Sequence, residues 1–209
     1  MPNWVYNSVV VDGPARPVRA LYEKISAPND HGRSANPRAV AEDIPLGRPD
    51  PQLLSFWNIV APDNLEEYFT DDNWYDWNCA NWGTKWDLAP SDFDDDDGYY
   101  EEESNGRLQL HFSTAWSPPS PILEWFSQYA RENSCALQWH WEEEQGFGEE
   151  ITIDANGEAV SRSWDVPNSH ADYVALGRQC PCADVYEDTD MNIRYDDCPA
   201  PEEVIPTSK

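Results

Sequence analysis

Apolar positions along this chain alternate between a period of two and a period near 3.6, and the switches mark its elements. Trp4–Val11 (WVYNSVVV) is β-branched and aromatic and is bounded by Asp12-Gly13-Pro14, which predicts a first strand. Pro14–Ile25 sets Val18, Leu21, Tyr22 and Ile25 at helical spacing, so one apolar face can meet a sheet; Pro28 and the Asn29–Asn36 cluster end it. Residues 28–51, rich in Pro, Gly, Arg and Asn, predict a long loop, and Leu53–Val60 a short second strand running into Ala61-Pro62. Leu65–Phe69 and Asp72–Gly83 predict short helices, the second capped by Asp71 or Asp72.

Strict alternation returns in Arg107–Trp116, with Leu108, Leu110 and Phe112 opposed to Gln109, His111 and Ser113, as in a half-buried strand. Ser117-Pro118-Pro119-Ser120-Pro121 opens a helix over Pro121–Glu132 with Ile122, Trp125, Phe126 and Tyr129 as its stripe. Ala136–Glu143 alternates through Leu137, Trp139 and Trp141. Glu150–Asp154 and Glu158–Trp164 make a hairpin around Asp154-Ala155-Asn156-Gly157, and Asn168–Gly177 is a short helix capped by Ser169 or Asn168. The order is βαβ, insertion, βαβ, hairpin, helix. It predicts an α+β fold, a ferredoxin-like split βαβ sheet with helices on one face. The expected organisation is one domain over residues 1–182, with an acidic Trp-rich insertion at about 63–106, and an acidic Pro-rich tail over 183–209.

Composition sharpens this picture. Eleven Trp and 40% hydrophobic residues in 209 are too many for a disordered chain, because each large ring buries roughly 150–250 Å². The net charge is −27 and is unevenly placed. Residues 1–60 hold six acids and six bases, so the remainder, with 34 acids and seven bases, accounts for all of it. Such a field repels phosphate backbones and anionic lipids and attracts basic surfaces, which excludes direct nucleic-acid and membrane binding. Asp63–Glu103 alone holds 15 acids and one Lys. Within it Asp92–Glu103 is expected to be an exposed loop or strand edge, since self-repulsion opposes compaction. No stretch has the roughly 18 apolar residues of a membrane span, and no secretion signal is expected. Five unevenly spaced cysteines argue against a disulfide framework and fit a reducing compartment.

Three stretches carry a resemblance: Pro2-Asn3-Trp4 with Asn7, Asn81-Trp82-Gly83-Thr84-Lys85-Trp86-Asp87, and Thr114-Ala115-Trp116-Ser117-Pro118-Pro119. Together they resemble the Api92-like/YubB group, proteins with a ferredoxin-like domain encoded by phages and conjugative plasmids. The resemblance spans most of residues 1–165 with the acidic insertion as a departure. It implies a mobile-element origin and the cytoplasm of a host bacterium, and brings no catalytic residues. The motif residues Trp82, Gly83, Trp86 and Trp116 are expected to form a structural core, the three indoles packing together, Gly83 permitting a tight turn and Lys85 pairing with a neighbouring carboxylate.

Candidate chemistry is sparse. His170, Cys180, Cys182 and Cys198 supply zinc-ligating atoms, but Cys-x-Cys lacks the usual separation of two to four residues, so partly buried free thiols and no metal are expected. His140-Trp141-Glu142 with Pro181-Cys182 hints at a zinc deaminase, but residue 185 is Val and a ligand is missing. An EF-hand count from Asp92 puts Asp97 where the turn needs Gly. No nucleophile elbow, phosphate loop or dinucleotide fingerprint is present, so neither an enzyme nor a cofactor is expected. The expected role is binding of a basic or nucleic-acid-binding host protein, as a DNA mimic, with two-fold homodimerisation lengthening the charged surface. The acidic surface is expected at Asp92, Asp94, Asp95, Asp96, Asp97, Glu101, Glu102, Glu103, Glu142, Glu143 and Glu144, with Tyr99 and Tyr100 as an aromatic rim. The alternative is an adaptor or inhibitor acting through the Trp-rich insertion, its acidity serving solubility.

Overall fold

The protein is described by a computed structural model over residues 3–27, 53–70, 73–88, 98–102 (backbone), 105–180 and 198. Strand β1 (Trp4–Pro14) leads directly into helix α1 (Ala15–Ile25). A single 3₁₀ turn (Phe56–Asn58) and the short helices α2 (Leu65–Tyr68) and α3 (Asn73–Asn81) follow. Then come β2 (Gly98–Glu102), β3 (Asn105–Ala115), α4 (Ser120–Glu132), β4 (Ala136–Glu143), β5 (Gly148–Ile153), β6 (Ala159–Trp164) and α5 (His170–Ala175). Contacts divide the chain into two compact units, Met1–Glu144 with Gly148–Ser163, and Gln145–Phe147 with Trp164–Lys209.

The six strands run in the order β2-β3-β1-β4-β5-β6. The β1–β3, β1–β4, β2–β3 and β4–β5 pairs are antiparallel. The first four strands in this order, β2-β3-β1-β4, have the split βαβ order, and β5 and β6 extend the sheet beyond β4. Period-two patterning decides the faces. On β1, Val5, Asn7, Val9 and Val11 are buried, while Tyr6, Ser8, Val10 and Asp12 are not. The buried face is covered by Val18, Leu21 and Ile25 of α1 and by Ile122, Phe126 and Ala130 of α4.

One predicted strand is absent. Leu53–Val60 carries the 3₁₀ turn instead, because its apolar residues fill a space over the sheet: Leu54 and Phe56 are fully buried and Trp57 nearly so. A continuous apolar run signals burial without choosing a backbone conformation. The second strand of the split βαβ unit is β2, which lies within the C-terminal part of the insertion. The predicted acidic loop or edge over Asp92–Glu103 contains that edge strand, paired with β3 through Tyr99↔Gln109 and Tyr100↔Leu108. Its run Asp92, Asp94, Asp95, Asp96 and Asp97, and Glu103, lie outside the described residues, as do Cys182 and nearly all of the predicted tail.

Candidate functional site

The three stretches that are far apart in sequence meet in space. Trp116 N–H donates to the Asn3 carbonyl at 2.8 Å, and Asn7 Nδ2 donates to Thr114 Oγ1 at 3.3 Å. Thr84 Oγ1 donates to the Ala115 carbonyl at 2.9 Å, and Ser117 Oγ to the Gly83 carbonyl. Gly83 adopts φ +79°, and a Cβ there would stand 2.7 Å from Pro121 Cδ and 2.9 Å from Ser120 N. Only glycine fits this approach of the loop to the start of α4.

The motif residues divide into two groups and do not form the single indole cluster expected of them. Trp82 is fully buried among Phe56, Trp57 and Trp77, with ring centroids 6.2, 5.9 and 5.3 Å away, and its Nε1 donates to the Val60 carbonyl at 2.9 Å. Trp116 remains 48% exposed, with φ +75°, and meets Tyr75 edge-on. Lys85 Nζ lies over both Trp86 and Trp116, 4.4 and 4.7 Å from their centroids. Indole faces therefore hold this ammonium, where a carboxylate was expected.

Asp87 closes the motif from inside. It is 5% exposed and accepts from Ser55 Oγ (2.7 Å), Phe56 N (2.7 Å), Trp57 N (3.3 Å) and Leu88 N (2.8 Å). Burial raises its carboxyl above the ordinary 3.8, and these four donors pull the other way. The same burial raises the Tyr68 phenol, which donates to Asn78 Oδ1 at 2.9 Å. The motif Asp thus anchors the 3₁₀ turn, a role that spacing along the chain does not signal.

The insertion segregates its residue types. Tyr68 and Trp82 face inward, whereas Asp63, Glu66, Glu67 and Asp76 are exposed. A depression of about 450 Å³ opens between α2 and α3, with Asp63, Glu67 and Asp76 in its wall beside Tyr68 and Trp77. A second depression, about 380 Å³, lies on the open face of the sheet. Registration across three strands puts His111, Ser8 and His140 in one row there, beside Tyr6 and Glu142. Gln109 Nε2 lies 2.8 Å from His111 Nε2, and His140 Nε2 lies 4.0 Å from Glu142. Alternation signalled the outward parity of His111. Its juxtaposition with His140 depends on strand order, which periodicity does not contain.

Of the expected acidic surface, Glu142 is partly exposed and Glu144 exposed, the latter accepting from Trp4 N at 3.1 Å. Glu143 does not belong to that surface. It is 2% exposed, because period two gives it the inward parity of Leu137 and Trp139. Glu101, Glu102, Tyr99 and Tyr100 sit on edge strand β2. In the smaller unit, His170, Cys180 and Cys198 bring their ligating atoms within 4.8 Å of one another.

The sheet order β2-β3-β1-β4 with α1 and α4 on one face defines a ferredoxin-like α+β domain. Residues 96–170 match the family model described as the ferredoxin-like domain in Api92-like protein. The crystal structure of protein api92 from Yersinia pseudotuberculosis is similar over 80% of this chain and 99% of that one, at 10% identity and a TM-score of 0.48. No curated protein matches the chain. Among the described residues no helix is long and apolar enough to cross a membrane.

Proposed function

We propose that this is a mobile-element protein of the host bacterial cytoplasm that acts by binding and not by catalysis. Its exposed carboxylates seat the basic surface of a host protein, where it competes with nucleic acid as a DNA mimic. The supporting observation is the segregation within the insertion, where indoles are spent on the core while Asp63, Glu66, Glu67 and Asp76 face solvent. The depression bordered by Asp63, Glu67 and Asp76, with Tyr68 and Trp77 in its lining, suits a Lys or Arg side chain through charge and ring contact together. With −27 charges, association is steered and strongly salt-dependent. A homodimer would extend the carboxylate surface.

The test is capture of host proteins on the tagged chain from nuclease-treated bacterial lysate, with duplex DNA as competitor. Nucleic-acid-binding proteins should be retained, then released by DNA or by about 0.5 M salt, where screening acts within a few ångströms. The triple change Glu66→Gln, Glu67→Gln and Asp76→Asn should weaken retention. Capture indifferent to DNA and salt would sink the mimic. It would favour an adaptor surface around Tyr75 and half-exposed Trp116, in which case Trp116→Ala, and not the triple variant, abolishes retention.

A further inference from the structure

Few of the described residues of the smaller unit are buried. Of its described residues only Pro167 and Cys180 are buried, and α5 is six residues long with no buried side chain. Its described residues make both local caps and longer-range polar bonds. Ser169 Oγ caps α5 by accepting from Asp172 N at 3.1 Å, and Asp172 Oδ2 returns to Asn168 N at 3.1 Å. At the other end Gly177, φ +69°, closes a Schellman turn in which Arg178 N donates to the Tyr173 carbonyl at 2.8 Å. Trp164 Nε1 and Arg178 Nη1 both donate to the Gly146 carbonyl, at 3.0 and 3.3 Å. Small units are commonly held by a cross-link or a metal ion, because limited apolar burial does not by itself offset the entropy of ordering a segment.

The Schellman turn reverses the chain so that Cys180 returns beside His170, the first residue of α5, and Cys198 joins them. The two Sγ atoms are 3.8 Å apart. That spacing allows a thiol–thiol hydrogen bond, is too long for a formed disulfide, and matches two ligands of one ion. A disulfide requires about 2.0 Å. Two thiolates, each about 2.3 Å from one tetrahedral zinc ion, stand about 3.8 Å from each other. An imidazole nitrogen at about 2.0–2.1 Å from the same ion falls about 3.6 Å from each sulfur, inside the observed bound. The donor set, two soft thiolates with a borderline imidazole, suits zinc and not calcium or magnesium.

We propose that His170, Cys180 and Cys198 bind a zinc ion that holds the smaller unit together. Binding exchanges the two thiol protons for the metal and releases them to solvent, with no change of oxidation state. The site is independent of the acidic-surface reading, since none of its residues lies in the insertion. Sequence spacing concealed it because the three donors sit at intervals that no short motif spans; Cys182, whose proximity to Cys180 broke the usual pattern, lies outside the described residues.

The experiment is metal analysis of the reduced full chain carrying a tag without histidines, after zinc loading and removal of loose metal. About one zinc per chain is expected. Cobalt in its place should give a near-ultraviolet thiolate charge-transfer band and the visible bands of a tetrahedral site. Cys180→Ser, Cys198→Ser and His170→Ala should each weaken zinc binding at least about tenfold. Cys79→Ser, an exposed cysteine of α3, should not. His170→Cys keeps a ligand, so it should retain zinc and strengthen the charge-transfer band, which separates lost ligation from misfolding. The proposal is overturned by wild type holding below about a tenth of a zinc per chain, by zinc surviving all three ligand removals, or by a Cys180–Cys198 disulfide in the mass map of the unreduced chain.

Discussion

Asp87 shows how one residue can carry two jobs that the chain specifies far apart. Its carboxyl collects four donors from the 3₁₀ turn and from Leu88, and so fixes the apolar segment Leu53–Val60 over the sheet. Asp87→Asn replaces an accepting oxygen by an N–H that faces other donors. The expected loss is about 1–3 kcal/mol, the cost of an unsatisfied buried polar group, read as a lower midpoint in urea unfolding. An unchanged midpoint would mean that the turn is held by the burial of Phe56 and Trp57 alone.

At the scale of elements, the hairpin β5–β6 depends on its turn. Asp154 Oδ1 accepts from Glu158 N and Asn156 N, both at 2.9 Å, and Oδ2 accepts from Asn156 Nδ2 at 3.2 Å. These bonds, Glu158 first, hold the Asp154 carboxyl below its ordinary 3.8. The folded hairpin therefore binds the proton less tightly than the open chain. Its stabilisation is complete above the ordinary carboxylate range and is lost as pH falls through the lowered value. Amide shifts of Asn156 and Glu158 should move together below about pH 4 in the wild type and stay flat in Asp154→Ala. The hairpin was legible from Asp154-Ala155-Asn156-Gly157, as were α1 and α4 from their apolar stripes, because turn chemistry and helical period are local. Leu53–Val60 was not, because its conformation is imposed by Asp87 and by the space above β1 and β3.

For the molecule as a whole, charge opposes compaction. An excess of 27 negative charges repels itself in the folded state more than in the expanded one. Raising salt to about 0.5 M, where the Debye length shrinks to a few ångströms, should raise the thermal unfolding midpoint. A midpoint that falls on adding salt would show that attractive pairs such as Arg107 with Asp12, 2.9 Å apart, dominate the balance.

The sequence by itself determined the strand and helix faces, the split βαβ class and the acidic field, since all of these are written in local period and net charge. It also held the three motif stretches that become one junction. Only the tertiary structure decided that Trp116 stays outside the Trp82 cluster with Lys85 between it and Trp86. It alone set His111 beside His140 and brought His170, Cys180 and Cys198 together. Each of these depends on which strands are neighbours or on where a turn returns the chain, relations between distant segments to which local period is blind.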